Sequence, residues 1–264
     1  MKYNTEILKD TDDNAIKKAA ELLKQGDIVG IPTETVYGLA ANALDPKAVE
    51  KIFIAKGRPA DNPLIVHVNN IEMIKNLVDE IPLKAISLFE KFSPGPLTII
   101  LKKSDIIPNI VSANLKTVAI RIPLHAGARK IIEKTNLPLA APSANTSGKP
   151  SPTSANTVFD DMNGKIPLII DGGICDVGVE STVISLAEKE PLLLRPGFIT
   201  QNDIEKVIGK IKLSTGVLSQ INDNTKFIID NENNNAFLTA ISENDSEDVV
   251  RAIVEGIENN TKMV

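Results

Sequence analysis

Short apolar runs recur through the first 200 residues, each closed within a few positions by Pro, Gly, Ser, Thr or Asn, and this punctuation narrows the fold more than any other feature. Residues 28–31 (IVGI) stop at Pro32, and similar runs stand at 64–68 (LIVHV), 97–101 (LTIIL), 118–122 (VAIRI), 137–140 (LPLA), 168–171 (LIID), 182–186 (TVISL) and 192–194 (LLL). Runs of this length between turn residues suit buried strands. Between them lie helix windows. Residues 12–25 open on acids, place Ile16, Ala19, Ala20 and Leu23 on one face and meet Gly26 as a C-terminal stop. Asp45 and Pro46 read as N-cap and first residue of a second helix to about Ala55. Further helices are expected over 71–78, 83–92, 127–134, 154–161 and 200–208. Strands mixed with helices imply α/β, a sheet with helical cover, in an order too irregular for a doubly wound parallel sheet.

The tail has a different texture. Residues 219–235 are rich in Asn and Asp, which reads as a linker; beyond it come an apolar stretch (236–241) and an amphipathic pattern in which Val249, Val250, Ile253, Val254 and Ile257 share a face. The organisation expected is one domain over 1–208, then a linker and short C-terminal extension over 209–264.

Several functional classes are disfavoured. Net charge is −5 and aromatic residues make up 3% of the chain, so neither phosphate neutralisation nor base stacking is well supplied for general nucleic-acid binding. One cysteine, Cys175, permits no internal disulfide, the N-terminal residues lack a signal-peptide core, and no apolar run reaches membrane-spanning length. A cytoplasmic protein without membrane attachment is expected. SGKPS (147–151) ends like a phosphate-binding P-loop, but the earlier glycine is Ser143 and Pro150 follows Lys149. Two His and one Cys are too few for a zinc site, so no protein metal site is expected.

What remains is a set of loops dense in hydroxyls and cations. Residues 32–40 (PTETVYGLA) leave a strand directly, where α/β ligand sites form. In 56–68 (KGRPADNPLIVHV), Lys56 and Arg58 flank Gly57 in a stiff turn suited to aiming two cations at one anion; a solvated helix end is the plainer reading. His67, inside an apolar strand, reads first as a core histidine. Residues 141–158 offer Ser143, Asn145, Ser147, Ser151 and Thr153 among Gly and Pro, which suits a rigid loop facing phosphate. Arg121 and Arg195 stand in or just after apolar strands, where each needs a structural carboxylate or a ligand anion.

KGRP (56–59) with SAN (143–145) resembles the K-x-R…S-x-N signature of the threonylcarbamoyl-AMP synthase family, known as YrdC/Sua5. PTETVYGLAANA (32–43), NPLIVHV (62–68), SPGPLT (93–98), VAIRIP (118–123), GVESTV (178–183) and LLLRPG (192–197) agree in the same order, so the resemblance covers about residues 6–208. It implies an open, twisted mixed sheet with helices around a large, positively lined cavity. It also implies an enzyme, a nucleotidyltransferase that joins L-threonine, bicarbonate and ATP into threonylcarbamoyl-AMP with release of pyrophosphate. That product serves N6-threonylcarbamoyladenosine formation at tRNA position 37, with a separate transferase complex as acceptor; direct weak tRNA contact stays open. By the resemblance, Lys56, Arg58, Ser143 and Asn145 are catalytic, and with Asn62, Thr117, Ser151 and Arg195 they bind ATP, which brings Mg²⁺. Thr35, His67, Arg121, Ala141 and Ser181 form the threonine site, with Arg121 on its carboxylate. The longer Sua5 type adds a Lys-Tyr-Lys-His-Tyr-like linker and a further domain. That linker motif is absent here, and 209–264 is a shortened remnant or an unrelated extension. Two other readings are an RNA-binding protein using the concave surface, and a carbamoyl adenylate chemistry like that of hydrogenase maturation proteins.

Overall fold

The computed structural model describes residues 3–218. The expected tail linker, apolar stretch and amphipathic helix lie outside them. The strands are β1 (Glu6–Lys9), β2 (Val29–Ile31), β3 (Gly38–Asn42), β4 (Ile65–His67), β5 (Leu97–Lys102), β6 (Thr117–Arg121), β7 (Leu139–Ala140), β8 (Leu168–Asp171), β9 (Thr182–Ser185), β10 (Leu192–Arg195) and β11 (Lys212–Leu213). The helices are α1 (Asp13–Lys24), α2 (Pro46–Lys56), α3 (Ile71–Lys75), α4 (Leu83–Phe92), α5 (Asn109–Ser112), α6 (Ala126–Thr135), α7 (Ala155–Met162) and α8 (Gln201–Ile208).

The strands form one open mixed sheet in the order β1-β8-β2-β3-β7-β4-β6-β5-β9-β10-β11. Parallel pairs (β1 with β8, β4 with β6, β5 with β9) are mixed with antiparallel ones (β2 with β3, β3 with β7, β5 with β6). On one face α1 and α6 pack together: Ala15, Ile16, Ala19 and Leu23 meet Ala128, Ile131 and Ile132 over Val29, Ile31, Leu168 and Ile170. Each of these helices presents a stripe of small and branched apolar residues at helical spacing, which is what lets both lie close on the strands.

Local chemistry fixes the elements that matter for the site. Asp45 caps α2 by accepting from the Lys47 amide, Pro46 takes the first turn, and Gly57 closes the helix in the left-handed region at φ 60°. That closure delivers Lys56 and Arg58 from the last turn into the following loop. α3 ends at Lys75, short of the expected Val78, because Val78 bridges Lys103 instead. β3 is a strand that the sequence pattern does not announce: GLAAN is poor in β-forming residues, and its small side chains are buried between β2 and β7. β11 lies beyond residue 208 and extends the sheet by pairing with β10.

Register then builds a row. His67 of β4 stands beside Arg121 of β6, Arg121 beside Thr98 of β5, and Leu97 beside Thr182 of β9, so four strands bring polar residues to the same end of the sheet.

Leu23 is fully buried in the α1–α6 layer. Leu23→Ala is expected to cost about 2–5 kcal/mol, seen as a lower urea midpoint at unchanged slope; an unmoved midpoint would show that this layer does not hold the fold.

Candidate active site

The turn between β2 and β3 is tied by its own hydroxyl. Thr33 Oγ1 accepts from the amides of Thr35 (3.2 Å) and Val36 (3.3 Å), which folds the turn tightly and sends Glu34 and Thr35 inward. Both meet Arg121. The Arg121 guanidinium donates from Nη2 to Glu34 Oε1 (2.6 Å), from Nη1 to Thr35 Oγ1 (2.8 Å) and from Nε to the Gly95 carbonyl (3.2 Å). Glu34 Oε2 accepts from the Leu124 amide at 3.0 Å. Arg121 is 3% exposed and Glu34 2%, so the pair is buried. Burial pulls Arg121 below the ordinary guanidinium range, and the Glu34 carboxylate opposes that pull. An arginine carries five N–H donors; the described residues engage three of Arg121's, leaving one on each Nη, and Arg121 helps to line a cavity.

His67 lines the same cavity beside Arg121. Its Nδ1 lies 3.3 Å from the Ile65 carbonyl. A carbonyl only accepts, so Nδ1 carries the proton and Nε2 is an acceptor. Burial and the neighbouring Arg121 charge push the imidazole down to about 3, so it is neutral around pH 7.

A second arginine closes another side. Arg195 Nε donates to the Ser181 carbonyl (2.9 Å), Nη2 to Ser181 Oγ (3.1 Å), and Nη1 pairs with Glu180. Ser181 Oγ also meets Thr98 Oγ1 at 2.7 Å, and Glu180 Oε1 accepts from Ser151 Oγ at 3.1 Å. The backbone of 195–197 crosses that of 180–182 so closely that a Cβ on Gly197 would fall 2.5 Å from the Thr182 nitrogen, which is why the RPG turn holds glycine.

The serine- and proline-rich loop after β7 is no free linker. Leu39 donates to the Pro142 carbonyl (2.7 Å), Ala144 to Tyr37 (2.9 Å) and Tyr37 to Pro152 (2.8 Å), which stitches the loop to β3 and the turn before it. Thr146 and Lys149 are held by Asp161 of α7. Lys56 reaches into this loop: its Nζ donates to the carbonyls of Ser143 and Asn145 (2.8 Å to the latter) and lies 3.4 Å from Asn145 Oδ1. Burial, helped by the Arg58 charge, lowers the ammonium to about 8.

The cavity of about 250 Å³ thus gathers Thr35, Arg58, Asn62, His67, Arg121, Ala141, Ser143, Ser181 and Arg195. Ser151 stands just behind its wall on Glu180. Lys56 and Asn145 turn into the loop, away from the wall. Thr117 lies outside, at the other end of β6 from Arg121, and lines a separate hollow with Lys102 and Lys116. Sequence reasoning places Glu34 at the end of the first strand but not as the partner of Arg121, and it passes over Glu180 and Thr98, although a buried arginine demands an anion and PTET and GVES each carry one.

A concave site on an open mixed sheet, walled by two anchored arginines, a third arginine and hydroxyls, defines an α/β protein whose cavity chemistry suits anionic ligands. More particularly, the Sua5/YciO/YrdC family model, described as "Telomere recombination", matches residues 21–197, and the chain belongs to that family. It is 54% identical over 211 residues to the threonylcarbamoyl-AMP synthase of Pyrococcus abyssi, covering 80% of this chain and 62% of that protein. With the Bacillus subtilis threonylcarbamoyl-AMP synthase it shares 52% over 211 residues, covering 80% of this chain and 61% of that one. Among solved structures, Pyrococcus abyssi Sua5 complexed with L-threonine superposes with a TM-score of 0.79 at 52% identity, over 81% of this chain and 63% of that one. The chain spans about three fifths of the length of these curated relatives.

The buried His67 gives a signed pH dependence. Its pKa is lower folded (about 3) than unfolded (6.5), so between these values the unfolded chain binds the extra proton and stability falls as pH falls. Urea unfolding is expected to lose up to about 1.4 kcal/mol per pH unit below 6.5 from this group, and His67→Asn should flatten the limb between pH 6.5 and 5. Equal slopes in both proteins would contradict the assigned burial of a neutral ring.

Proposed function

We propose that this chain is an L-threonylcarbamoyladenylate synthase, a nucleotidyltransferase that converts L-threonine, bicarbonate and ATP into threonylcarbamoyl-AMP, pyrophosphate and water. The observation that carries the reading is the polarity of the cavity. One end offers the two unengaged N–H donors of Arg121, the hydroxyls of Thr35 and Ser181, and the bare Nε2 of His67. The other offers Arg58, Ser143 and Asn62. The first suits a small amino acid: guanidinium on its carboxylate, acceptors for its ammonium or hydroxyl, and Ala141 as an apolar wall. The second suits phosphates. The relatives named as threonylcarbamoyl-AMP synthases, and the relative solved with L-threonine, support threonine as a substrate.

The chemistry follows from that division. The threonine amine adds to bicarbonate, a C–N bond forms and water leaves, giving the N-carboxylate. One carbamate oxygen then attacks the α-phosphorus while the bond to the pyrophosphate oxygen breaks. Negative charge grows on the non-bridging and leaving oxygens, where Arg58 and Arg195 with the Ser143 hydroxyl lower its energy by electrostatic and hydrogen-bonding complementarity. No covalent nucleophile is required. The adenosine would extend past the rim over Asn62 towards Thr117. Among the described residues no three His, Cys, Asp or Glu side chains gather as a metal cage. The cavity wall carries Glu180, which fits a Mg²⁺ carried mainly on phosphate oxygens and water; the ion supplies charge neutralisation when bound. The product would feed threonylcarbamoyladenosine formation at tRNA position 37 through a separate transferase complex. Among the described residues no helix is long and apolar enough to cross a membrane.

Pyrophosphate release with ATP, Mg²⁺ and bicarbonate, with and without L-threonine, tests the proposal. Release that depends on threonine, with the adenylate found by mass spectrometry in promptly quenched samples, is the expected result. Threonine-independent release, or none from folded protein, would refute it.

A further inference from the structure

The four residues of the K-x-R…S-x-N pattern do not face the same way. Arg58 and Ser143 line the cavity, whereas Lys56 and Asn145 are 2% and 6% exposed and stand behind it. An ammonium has three donors, and all three of Lys56's are engaged by the Ser143 carbonyl, the Asn145 carbonyl and Asn145 Oδ1. The Lys56 backbone carbonyl accepts in turn from the Ser147 amide at 2.9 Å, so this residue grips the loop from both ends. Asn145 is equally committed: its Nδ2 donates to the carbonyls of Thr146 (3.0 Å) and Lys149 (2.7 Å) while its Oδ1 faces Lys56. A phosphate that captured Lys56 would strip the Ser143 and Asn145 carbonyls of their donor and leave them desolvated without a partner. A mobile surface lysine would carry no such penalty.

We infer that Lys56 and Asn145 form a positioning pair that clamps the 143–147 loop and sets Ser143 against the nucleotide, and that Lys56 is not itself a phosphate ligand. The inference rests on the reading of the cavity as an ATP site and refines it: phosphate contact falls to Arg58, Ser143 and Arg195. The clamp works because its base is rigid. Lys56 ends a helix that is capped at Asp45 and closed at Gly57, with Ile52 and Phe53 packed in the core. The loop is already stitched to β3 on its other side. Removing the ammonium would therefore loosen one short segment and leave the threonine end, carried on β4, β6 and the β2–β3 turn, as it is.

A double-mutant cycle on the full chain tests this, read by calorimetric binding of α,β-methylene ATP and of L-threonine and by pyrophosphate release. Lys56→Met and Asn145→Ala should each lower turnover by roughly 10²-fold through misplacement of the loop. The Lys56→Met/Asn145→Ala double variant should lose no more than the worse single, because both remove the same clamp. Lys56→Met/Arg58→Ala losses should multiply. L-Threonine binding should stay at the wild-type value in all variants, which a general loss of fold would not allow. Multiplying losses for Lys56 and Asn145 would overturn the pairing. A structure of the wild-type protein with the analogue gives an answer independent of any variant's folding. Nζ is expected to remain on the Ser143 and Asn145 carbonyls; Nζ within about 3.2 Å of a phosphate oxygen would overturn the inference. Wild-type protein that binds no analogue would overturn both this and the functional reading, whereas active wild-type protein with multiplying losses would overturn the clamp alone.

Discussion

A guanidinium buried against a sheet carries a desolvation cost of several kcal/mol unless an anion and further acceptors meet it, and Arg121 meets that demand with Glu34, Thr35 and the Gly95 carbonyl. The rest of the site depends on this arrangement. To reach Arg121, the β2–β3 turn must fold inward, which Thr33 enforces by accepting two amides of its own turn. The inward turn in turn supplies the Tyr37 groups onto which the 142–152 loop is stitched. Because Glu34 neutralises the charge without consuming every donor, the guanidinium is held in place and still has N–H groups for a second carboxylate. The same device recurs at Arg195, more exposed and held by Glu180 and Ser181. Two arginines, each fixed by a glutamate from a different segment of the chain, give a cavity whose cationic groups are preorganised rather than recruited on binding.

Much of this was legible from residue types. Asp45-Pro46 and Gly57 marked both ends of α2, and 168–171 and 83–92 coincide with β8 and α4, because capping chemistry and apolar periodicity are local signals. β3 was not legible: Gly and Ala announce neither period nor propensity, and only tertiary burial makes GLAAN a strand. Strand order was not legible either, since β8 inserts between β1 and β2 from well over a hundred residues away.

The site shows the same boundary. The need of Arg121 and Arg195 for an anion follows from their apolar strands, but the choice of Glu34 and Glu180 is a fact of three-dimensional packing. The K-x-R…S-x-N pattern pointed to the right loops while leaving the direction of each side chain open; backbone closure at Gly57 and the stitched 142–152 loop decide that Arg58 looks out and Lys56 looks in. Thr117 illustrates the converse: the family pattern names it with the site, and the fold sets it in a separate hollow at the other end of β6.

Arg121 is proposed to mark the carboxylate end of the cavity, and titration calorimetry with L-threonine and with L-threoninamide tests that point most directly. The amide keeps the ammonium, hydroxyl and shape but removes the anion that two charge-assisted hydrogen bonds would hold, each worth about 1.5–3 kcal/mol. L-Threonine should bind and the amide should bind at least roughly 10²-fold more weakly. Equal affinity for the two, or no binding of L-threonine, would contradict the account.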